Sequence, residues 1–167
     1  MKLNKLEKQA ISPEPKRYDV CSQLCECALQ FENVWEEKDI EFEADLEDRA
    51  YIEADEELMA IVWTNLLSNA VKFTPNGGKI TLTEKSDDER VIVSVTDSGC
   101  GMNKQTMKHI FDKFYQGDTS HSTEGNGLGI ALVKRILQLS DGSIEVKSDV
   151  GHGTIFTVRL LKLRKEI

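Results

Sequence analysis

The sequence predicts an α+β fold: a two-layer sandwich in which a mixed, mostly antiparallel sheet is covered on one face by about three helices. Two observations predict it. Apolar residues recur at helical spacing in three segments, which lie at residues 18–38, between Asp55 and Pro75, and at 128–140. Shorter segments alternate apolar and polar residues and are joined in pairs by tight polar turns, which is typical of antiparallel hairpins.

Length, charge and cysteine usage exclude several classes of protein. A chain of 167 residues with 40% apolar and 30% charged residues fits one domain that buries its own core. The net charge of −8, from 21 basic and 29 acidic residues, argues against a nucleic-acid partner. No apolar run suits a membrane span or a signal peptide, so we expect a cytoplasmic domain. The four cysteines lack paired metal-ligand spacing and are expected to be reduced thiols.

The first third of the chain is predicted to supply one long helix and two short strands. Residues 1–15 contain the end of a helix that two prolines stop. Residues 18–38 predict one amphipathic helix that packs on the sheet. Its apolar positions are Val20, Leu24, Cys27, Ala28, Phe31 and Val34. Residues 40–44 and 50–53 are predicted to be extended.

A second helix and a hairpin form the predicted middle of the chain. Asp55 is placed to cap this helix, with Leu58 at the third position beyond it, and the sequence PNGG at residues 75–78 ends it. Residues 79–85 and 90–97 alternate apolar and polar side chains on either side of the polar turn SDDE. This pattern predicts an antiparallel hairpin.

The last third begins with a long polar loop at residues 98–126, in which an aromatic group is embedded. A loop of this length inside a compact domain is usually functional, which predicts a lid at about residues 102–126. Residues 128–140 predict a helix, and residues 143–148 and 154–161 predict two paired strands. The apolar side of that helix is predicted to contain Leu128, Ala131, Leu132, Ile136 and Leu139.

The middle helix carries polar residues on a side that also holds aliphatic ones. Asn65, Asn69 and Lys72 fall within about 60° of arc around the helix axis. The same arc contains Leu58, Ile61 and Val62, and the opposite side contains Trp63, Leu67, Ala70 and Val71. Leaving a buried polar group unpaired costs roughly 1–3 kcal/mol, so a nucleotide with its metal is the expected partner. The alternative is an amphipathic helix whose polar stripe faces water.

Asp97 ends the core-facing row of a predicted strand that also contains Val91, Val93 and Val95. A carboxylate only accepts hydrogen bonds and the exocyclic amine of adenine only donates them. Asp97 at the floor of a pocket would therefore select adenine over guanine. The alternative is a carboxylate that caps the following turn. Gly99 and Gly101 come next and would let the backbone approach a flat base closely.

The glycine-rich sequence GNGLG at residues 125–129 opens the helix predicted for residues 128–140. Free N–H groups and the positive end of a helix dipole make such a segment a phosphate site. The common nucleotide motifs are missing: there is no GxxxxGK[ST], the glycines do not follow a strand as in dinucleotide-binding folds, and the protein-kinase sequences His-Arg-Asp and Asp-Phe-Gly do not occur.

Five segments, taken in order, resemble the motifs of one family. They are residues 65–74 (NLLSNAVKFT), similar to its N box, 97–102 (DSGCGM), similar to its first glycine box, 110–118 (IFDKFYQGD), similar to its phenylalanine box, 125–133 (GNGLGIALV), similar to its second glycine box, and 151–156 (GHGTIF), similar to its closing motif. The family is the catalytic, ATP-binding domain of sensor histidine kinases, within the GHKL superfamily of gyrase, chaperone and mismatch-repair ATPases. The resemblance covers about residues 18–161 and implies ATP as the bound nucleotide and Mg²⁺ as its metal.

The resemblance also implies roles for individual residues. Asn69 would hold Mg²⁺ through its side-chain oxygen, Lys72 would contact phosphate, and Asn65 would lie beside the triphosphate, which makes Asn65 and Lys72 the candidate catalytic residues. Asp97 would bind the adenine amine. The remaining nucleotide contacts implied by the motifs are Phe73, Gly99, Gly101, Met102, Phe111, Phe114, Tyr115, Gly125, Gly127, Leu128, Gly129 and Thr154.

Two positions depart from the family pattern. Superfamily members that hydrolyse ATP with water carry a Glu where this chain has Asn65, and an amide is no base, which favours phosphoryl transfer over hydrolysis. Gln116 stands where many family members have an Arg that reaches the γ-phosphate from the lid. Lys113 and His121 are the candidates to replace that Arg.

The phosphate acceptor is expected outside this chain. In the family the acceptor histidine is followed by an acidic residue, and no histidine here has that neighbour, neither His109, His121 nor His152. Residues 1–15 are therefore expected to be the remnant of a dimerisation helix and linker, 16–163 the catalytic domain, and the last four residues a tail. The expected partners are the protein's own dimerisation and histidine phosphotransfer domain and a downstream response regulator. The full-length protein is expected to be a homodimer, with any membrane anchor outside this chain.

Two other functions share the fold and the motifs. The first is a serine kinase of the anti-sigma type, which would be expected to keep a Glu at position 65. The second is a nucleotide-sensing interaction module that has lost transfer activity. The intact glycines and Asn69 argue against the second function, while Gln116 leaves it open.

Overall fold

The computed structural model describes residues 13–112 and 128–162. Its strands are β1 (Lys16–Asp19), β2 (Glu41–Asp45), β3 (Tyr51–Ala54), β4 (Lys79–Ser86), β5 (Arg90–Asp97), β6 (Ser143–Asp149) and β7 (Gly153–Leu161). Its helices are α1 (Val20–Leu29), α2 (Glu32–Glu37), α3 (Glu56–Phe73), α4 (Lys104–His109) and α5 (Leu128–Leu139). None of the helices in these ranges is long and apolar enough to cross a membrane.

A five-stranded sheet in the order β2-β4-β5-β7-β6 forms one layer of the molecule. β2 and β4 run parallel, and every other neighbouring pair in this sheet is antiparallel. β1 and β3 form a separate antiparallel ribbon. The predicted α+β sandwich with a mixed, mostly antiparallel sheet is confirmed, and so are both predicted hairpins, β4–β5 and β6–β7.

The core lies between one face of this sheet and the helices α1, α3 and α5, with α3 packed against both other helices. Alternate residues of β4 and β5 point into it, so Asp97 shares its face with the buried valines of β5, as predicted. A polar contact is buried where α1 meets α3: the Trp63 indole N–H and the Tyr18 hydroxyl both donate to Oε1 of Gln23, each at 2.8 Å. Nε2 of Gln23 in turn donates to the Glu56 carbonyl at 2.7 Å, so both the oxygen and the nitrogen of this buried amide are hydrogen-bonded.

α3 starts and ends where the sequence predicts. Asp55 is its N-cap, and Oδ1 of Asp55 accepts from the Leu58 N–H at 3.0 Å. At the other end Thr74 leaves helical geometry, and its hydroxyl donates to the Ala70 carbonyl at 2.6 Å. Gly77 then adopts φ +81°, a conformation that side chains disfavour, and turns the chain toward β4. Asn65, Asn69 and Lys72, the polar stripe, therefore lie in the C-terminal half of this helix.

The predicted single helix over residues 18–38 is wrong. Tyr18 lies in β1, paired with Ile52, and the side chain of Asp19 caps α1 by accepting from the Cys21 N–H at 3.0 Å. A tightened turn, in which the Phe31 N–H donates to the Ala28 carbonyl at 3.0 Å, separates α1 from α2. Val34, predicted on the packed side, is 39% exposed. Trp35 instead packs α2 against β2: its ring stacks on that of Phe42, with the ring centroids 4.2 Å apart.

Two further differences concern the last third of the chain. Part of the predicted polar loop is helical, because Asn103 caps α4 by accepting from the Thr106 N–H at 2.7 Å. In α5 the prediction that Leu139 belongs to the apolar side is wrong: Leu139 is 40% exposed. Leu132 and Ile136 are buried as predicted, joined by Val133 and Leu137. At the end of this helix the buried side therefore includes Leu137 in place of Leu139.

Candidate functional site

A cavity of about 300 Å³ opens where the C-terminal end of α3 meets the end of β5 and the start of β7. Its walls are apolar apart from a few side chains that bear oxygen, nitrogen or sulfur. The lining residues are Asn69, Phe73, Asp97, Cys100, Gly101, Met102, Asn103, Thr106, Ile110, Val150, Thr154 and Phe156. An apolar cleft with a few convergent polar groups is the usual form of a small-molecule site.

Asp97 is a buried carboxylate in this lining. It ends β5 directly opposite Thr154 of β7, and its Oδ1 accepts from the Gly99 N–H at 2.9 Å. Burial raises the pKa of Asp97, and backbone hydrogen bonds from Gly99 and Thr154 oppose that shift. The capping contact expected as an alternative is therefore present, and Asp97 lines the cavity as well.

The loop after β5 lies tightly against the turn between β6 and β7. Gly101 has φ +71°, and a Cβ at this position would collide with the Asp149 carbonyl. Backbone conformation and close packing therefore both require glycine at this position. The Gly151 N–H donates to the Cys100 carbonyl at 2.7 Å, which joins the two segments. Gly99 is equally confined, because a Cβ there would lie 2.5 Å from the Phe73 carbonyl oxygen. Both predicted glycines thus shape the wall of the cavity by close backbone packing.

The polar stripe of α3 is half-buried, and its members meet different surroundings. Asn69 lines the cavity. Asn65 donates from Nδ2 to the Ile61 carbonyl at 2.7 Å, so the expectation that its amide needs an external partner is wrong for this nitrogen. A Cβ on Gly129 would lie 2.5 Å from Oδ1 of Asn65. The close packing of α5 on α3 therefore requires glycine at position 129. Lys72 is not among the lining residues; its Nζ lies 5.3 Å from the centroid of the Phe73 ring.

The remaining predicted residues either line the cavity, lie elsewhere in the described fold, or fall outside the described residues. Phe73, Met102 and Thr154 line the cavity. Phe111 instead packs against the core, with Nζ of Lys134 5.1 Å from its ring centroid. Leu128 begins α5. Predicted positions that lie outside the described residues are Lys113, Phe114, Tyr115, Gln116, His121, Gly125 and Gly127, together with most of the expected lid.

Several lining residues were not predicted as site residues: Cys100, Asn103, Thr106, Ile110, Val150 and Phe156. Part of this set carried a sequence signal. Asn103 has the type and position of a helix N-cap, and Thr106 and Ile110 lie four residues apart, on one face of the helix that it starts. Val150 has no such signal, because it reaches the cavity only through the close packing of two loops that are distant in sequence.

The donor chemistry of the cavity suits a nucleotide better than a metal held by protein alone. Within residues 13–112 and 128–162, no three His, Cys, Asp or Glu side chains form a group that could hold a metal ion. Apolar side chains such as Phe73, Met102 and Ile110 can pack on a planar ring, while Asp97 offers its edge a hydrogen-bond acceptor. A metal at this site would need oxygen ligands from phosphates and water beside the Asn69 amide.

Comparisons with known proteins agree with this geometry. The family described as histidine kinase-, DNA gyrase B- and HSP90-like ATPase matches residues 54–164. The chain is 39% identical over 146 residues to the adaptive-response sensory kinase SasA of Parasynechococcus marenigrum, a match that covers 86% of this chain and 38% of that protein. The chain spans less than half the length of this and the other curated relatives it matches.

Two solved structures share the fold. The nucleotide-free catalytic domain of the histidine kinase ThkA superimposes with a TM-score of 0.80 at 26% identity, over 89% of this chain and 98% of that one. Full-length ShkA in complex with AMPPNP superimposes with a TM-score of 0.83 at 29% identity, over 98% of this chain and 35% of that one.

Proposed function

We propose that this chain binds Mg-ATP and transfers its γ-phosphoryl group to a histidine on a separate dimerisation domain. The chain belongs to the histidine kinase-, DNA gyrase B- and HSP90-like ATPase family. It is a nucleotide-binding catalytic domain of the sensor histidine kinase type. One observation carries the proposal: a buried carboxylate, Asp97, lies in a largely apolar cavity whose wall includes Asn69 at the end of α3. This combination offers a base pocket and a polar group for the phosphates within one cleft.

The base pocket would bind adenine. Asp97 accepts hydrogen bonds, so it complements the exocyclic amine of adenine and repels the carbonyl that guanine carries at the same position. The side chains of Met102 and Ile110 supply apolar surface for the faces of the ring. Gly99 and Gly101 let the loop that bears Met102 pack closely on the backbone of Phe73 and Asp149, where a Cβ atom would collide.

The polar stripe of α3 would hold the triphosphate. Mg²⁺, when bound, supplies charge neutralisation of the phosphoryl oxygens, and Asn69 is the residue that would hold it. Lys72, on the same side of α3, adds a positive charge for the phosphates. Positioning and charge stabilisation of this kind are the main contributions of a protein to phosphoryl transfer.

Transfer is favoured over hydrolysis because the residue next to the expected phosphate region cannot act as a base. The Asn65 side chain is an amide whose nitrogen already donates to the Ile61 carbonyl. A serine kinase of the anti-sigma type or a pure sensing module is not favoured, since the relatives are sensor kinases. For the whole protein we propose homodimerisation through the acceptor domain and onward transfer to a response regulator.

Incubation with γ-labelled ATP tests this function. The domain alone should not become labelled, the domain with its cognate dimerisation domain should label that partner, and a partner that lacks its histidine should stay unlabelled. Asn69→Ala should abolish transfer, because the phosphates would lose the residue that holds their metal. Asn76→Ala, in the exposed turn after α3, is the matched control and should leave transfer unchanged. Acid-stable label on this chain alone, or rapid release of free phosphate without a partner, would contradict the proposal.

A further inference from the structure

Ser148, near the end of β6, contacts the nucleotide site without lining it. Its side-chain oxygen lies within hydrogen-bond distance of three groups: the Met102 N–H at 2.7 Å, the Gly153 carbonyl at 2.8 Å and the Thr154 hydroxyl at 2.9 Å. Met102 and Thr154 line the cavity, whereas Gly153, the first residue of β7, does not. One half-buried hydroxyl therefore connects both sides of the pocket wall.

The number of protons fixes the direction of these hydrogen bonds. A serine hydroxyl has one proton to donate and two lone pairs that accept. The Gly153 carbonyl can only accept and the Met102 N–H can only donate, so Ser148 donates to Gly153 and accepts from Met102. The contact with Thr154 is then made only if the Thr154 hydroxyl donates to Ser148. This arrangement uses the one hydroxyl proton of Thr154.

A threonine without a free proton can only accept hydrogen bonds from a ligand. Thr154 is buried, lines the cavity and lies directly across the β5–β7 ladder from Asp97, which also accepts. Two neighbouring side chains of the pocket floor therefore present acceptors. If the Thr154 hydroxyl were free to rotate, it could instead donate to a carbonyl on the ligand, and the floor would distinguish less well between an amine and a carbonyl.

We propose that Ser148 is a positioning residue for base specificity: by holding the hydroxyl proton of Thr154 it makes the pocket floor accept only, so the site takes a purine that carries an amine and rejects one that carries a carbonyl there. The proposal rests on the nucleotide-binding function proposed above. It assigns Ser148 no contact with the nucleotide and routes its effect through Thr154.

A different role would be a purely structural clip, in which Ser148 only ties the Met102 backbone to β6. Loss of a clip would weaken the binding of all nucleotides alike. If Ser148 instead holds the hydroxyl proton of Thr154, its loss would change the ratio of affinities for an amine-bearing and a carbonyl-bearing purine, because the freed Thr154 hydroxyl can donate to the carbonyl. The affinity ratio therefore separates the two roles.

Titration calorimetry with Mg-ATP and with Mg-inosine triphosphate, whose base carries a carbonyl in place of the adenine amine, measures this ratio. Ser148→Ala should lower the affinity for ATP about 3- to 10-fold, the range expected for one hydrogen bond. It should leave the affinity for inosine triphosphate unchanged or raised. Ser94→Ala is the matched control, because it removes another half-buried cross-strand hydroxyl contact, 3.3 Å from Thr157, in the same sheet. It should leave the ratio unchanged.

Thr154→Val provides the second test, which remains available if Ser148→Ala destabilises the domain. It should shift the ratio in the same direction, and adding Ser148→Ala to it should change the ratio no further, since Ser148 acts through Thr154. Equal losses for both nucleotides in Ser148→Ala, or an unchanged ratio in Thr154→Val, would overturn the inference. A wild-type domain that binds neither nucleotide would instead overturn the proposed function, so the two failures are distinguishable.

Discussion

Asp97 is the residue on which the proposed base recognition depends. It is buried at the end of β5, it is held by the Gly99 N–H, and it lines the cavity. A carboxylate in such a place loses its hydration and keeps few hydrogen bonds, so it gains by accepting from a ligand amine. Its position could be predicted from the sequence because side chains in a strand alternate with a period of two residues, which puts Asp97 on the face of Val95.

We expect Asp97→Asn to weaken ATP binding by about tenfold or more, since the amide adds a donor where the adenine amine also donates. Calorimetric titration with ATP and GTP measures the effect. Asp87→Asn is the matched control: it removes an exposed carboxylate that likewise accepts from two backbone N–H groups, those of Glu89 and Arg90, in the turn between β4 and β5. A wild-type domain with equal affinity for ATP and GTP would contradict the assignment of Asp97 to the base.

The contacts of Ser148 could not be predicted from the sequence. It lies in a strand that the sequence predicts correctly, yet nothing in the local pattern distinguishes it from any polar residue of a strand. Its importance comes from three contacts, of which the one to Met102 joins positions 46 residues apart. A contact of that kind depends on tertiary packing, which periodicity cannot reveal.

At the scale of elements, strong local signals gave reliable predictions and weak ones did not. α3 has a capping aspartate, a long apolar periodicity and a Pro-Asn-Gly-Gly stop, and it was predicted to within a residue or two. β1 has only four residues and is stabilised by pairing with β3, a distant partner. Its last two residues were therefore predicted as part of the neighbouring helix. The separation of α1 from α2 was missed for a similar reason, since Phe31 and Val34 fit a continuous helical period.

α4 lies at the start of the expected lid; Thr106 of this helix and Ile110, its C-cap, line the cavity. The helix has only six residues and no buried side chain, so its backbone hydrogen bonds are weakly protected without a ligand. We expect a non-hydrolysable ATP analogue to slow amide hydrogen exchange in residues 104–110. The turn at residues 86–89, at the other end of β5, serves as the internal control and should exchange at an unchanged rate. Equal exchange rates in residues 104–110 with and without the analogue would show that α4 does not close on the nucleotide.

At the scale of the whole molecule, the order of the strands could not be read from the sequence. Two hairpins follow from the short turns that join their strands, but the parallel pairing of β2 with β4 spans β3 and the whole of α3. The antiparallel pairing of β5 with β7 likewise bridges α4 and α5. Such pairings are selected by the burial of the complete sheet face, so the fold class was predictable and the topology was not.

Stability should depend on a pair of carboxyl groups near Cys21 of α1, of which Glu84 is buried and Glu47 is half-buried. Glu84 of β4 is fully buried, and its Oε1 accepts from the Cys21 thiol at 3.2 Å and the Glu47 N–H at 2.9 Å. Burial, followed by the Glu47 side chain, raises the pKa of Glu84, while the hydrogen bond from Glu84 lowers the pKa of Glu47. The other charged groups around the pair are Asp19, Lys85 and Lys162. Folding therefore favours the protonated form of Glu84.

We expect Glu84→Gln to gain stability over the wild type as the pH rises. A carboxyl group with a raised pKa contributes its full stability below its unfolded pKa and loses it as the pH rises through its folded pKa, whereas an amide needs no proton. The lowered pKa of Glu47 acts in the opposite sense at acid pH. Urea unfolding from about pH 5 to about pH 8 measures the difference in free energy of unfolding between variant and wild type. Glu53→Gln, at an exposed position of β3, is the control. A difference that stays constant with pH would contradict the pairing.

Two exposed thiols allow a direct test of whether an adenine nucleotide occupies the cavity beside Asp97. Cys100 is exposed and lines the cavity, whereas Cys25 is exposed on α1, away from it. Alkylation of both thiols can be followed by mass spectrometry in a single sample. The proposed nucleotide site predicts that Mg-ATP slows the labelling of Cys100 and leaves that of Cys25 unchanged, while GTP at the same concentration protects neither. Labelling of Cys100 at the same rate with and without saturating Mg-ATP would contradict the claim.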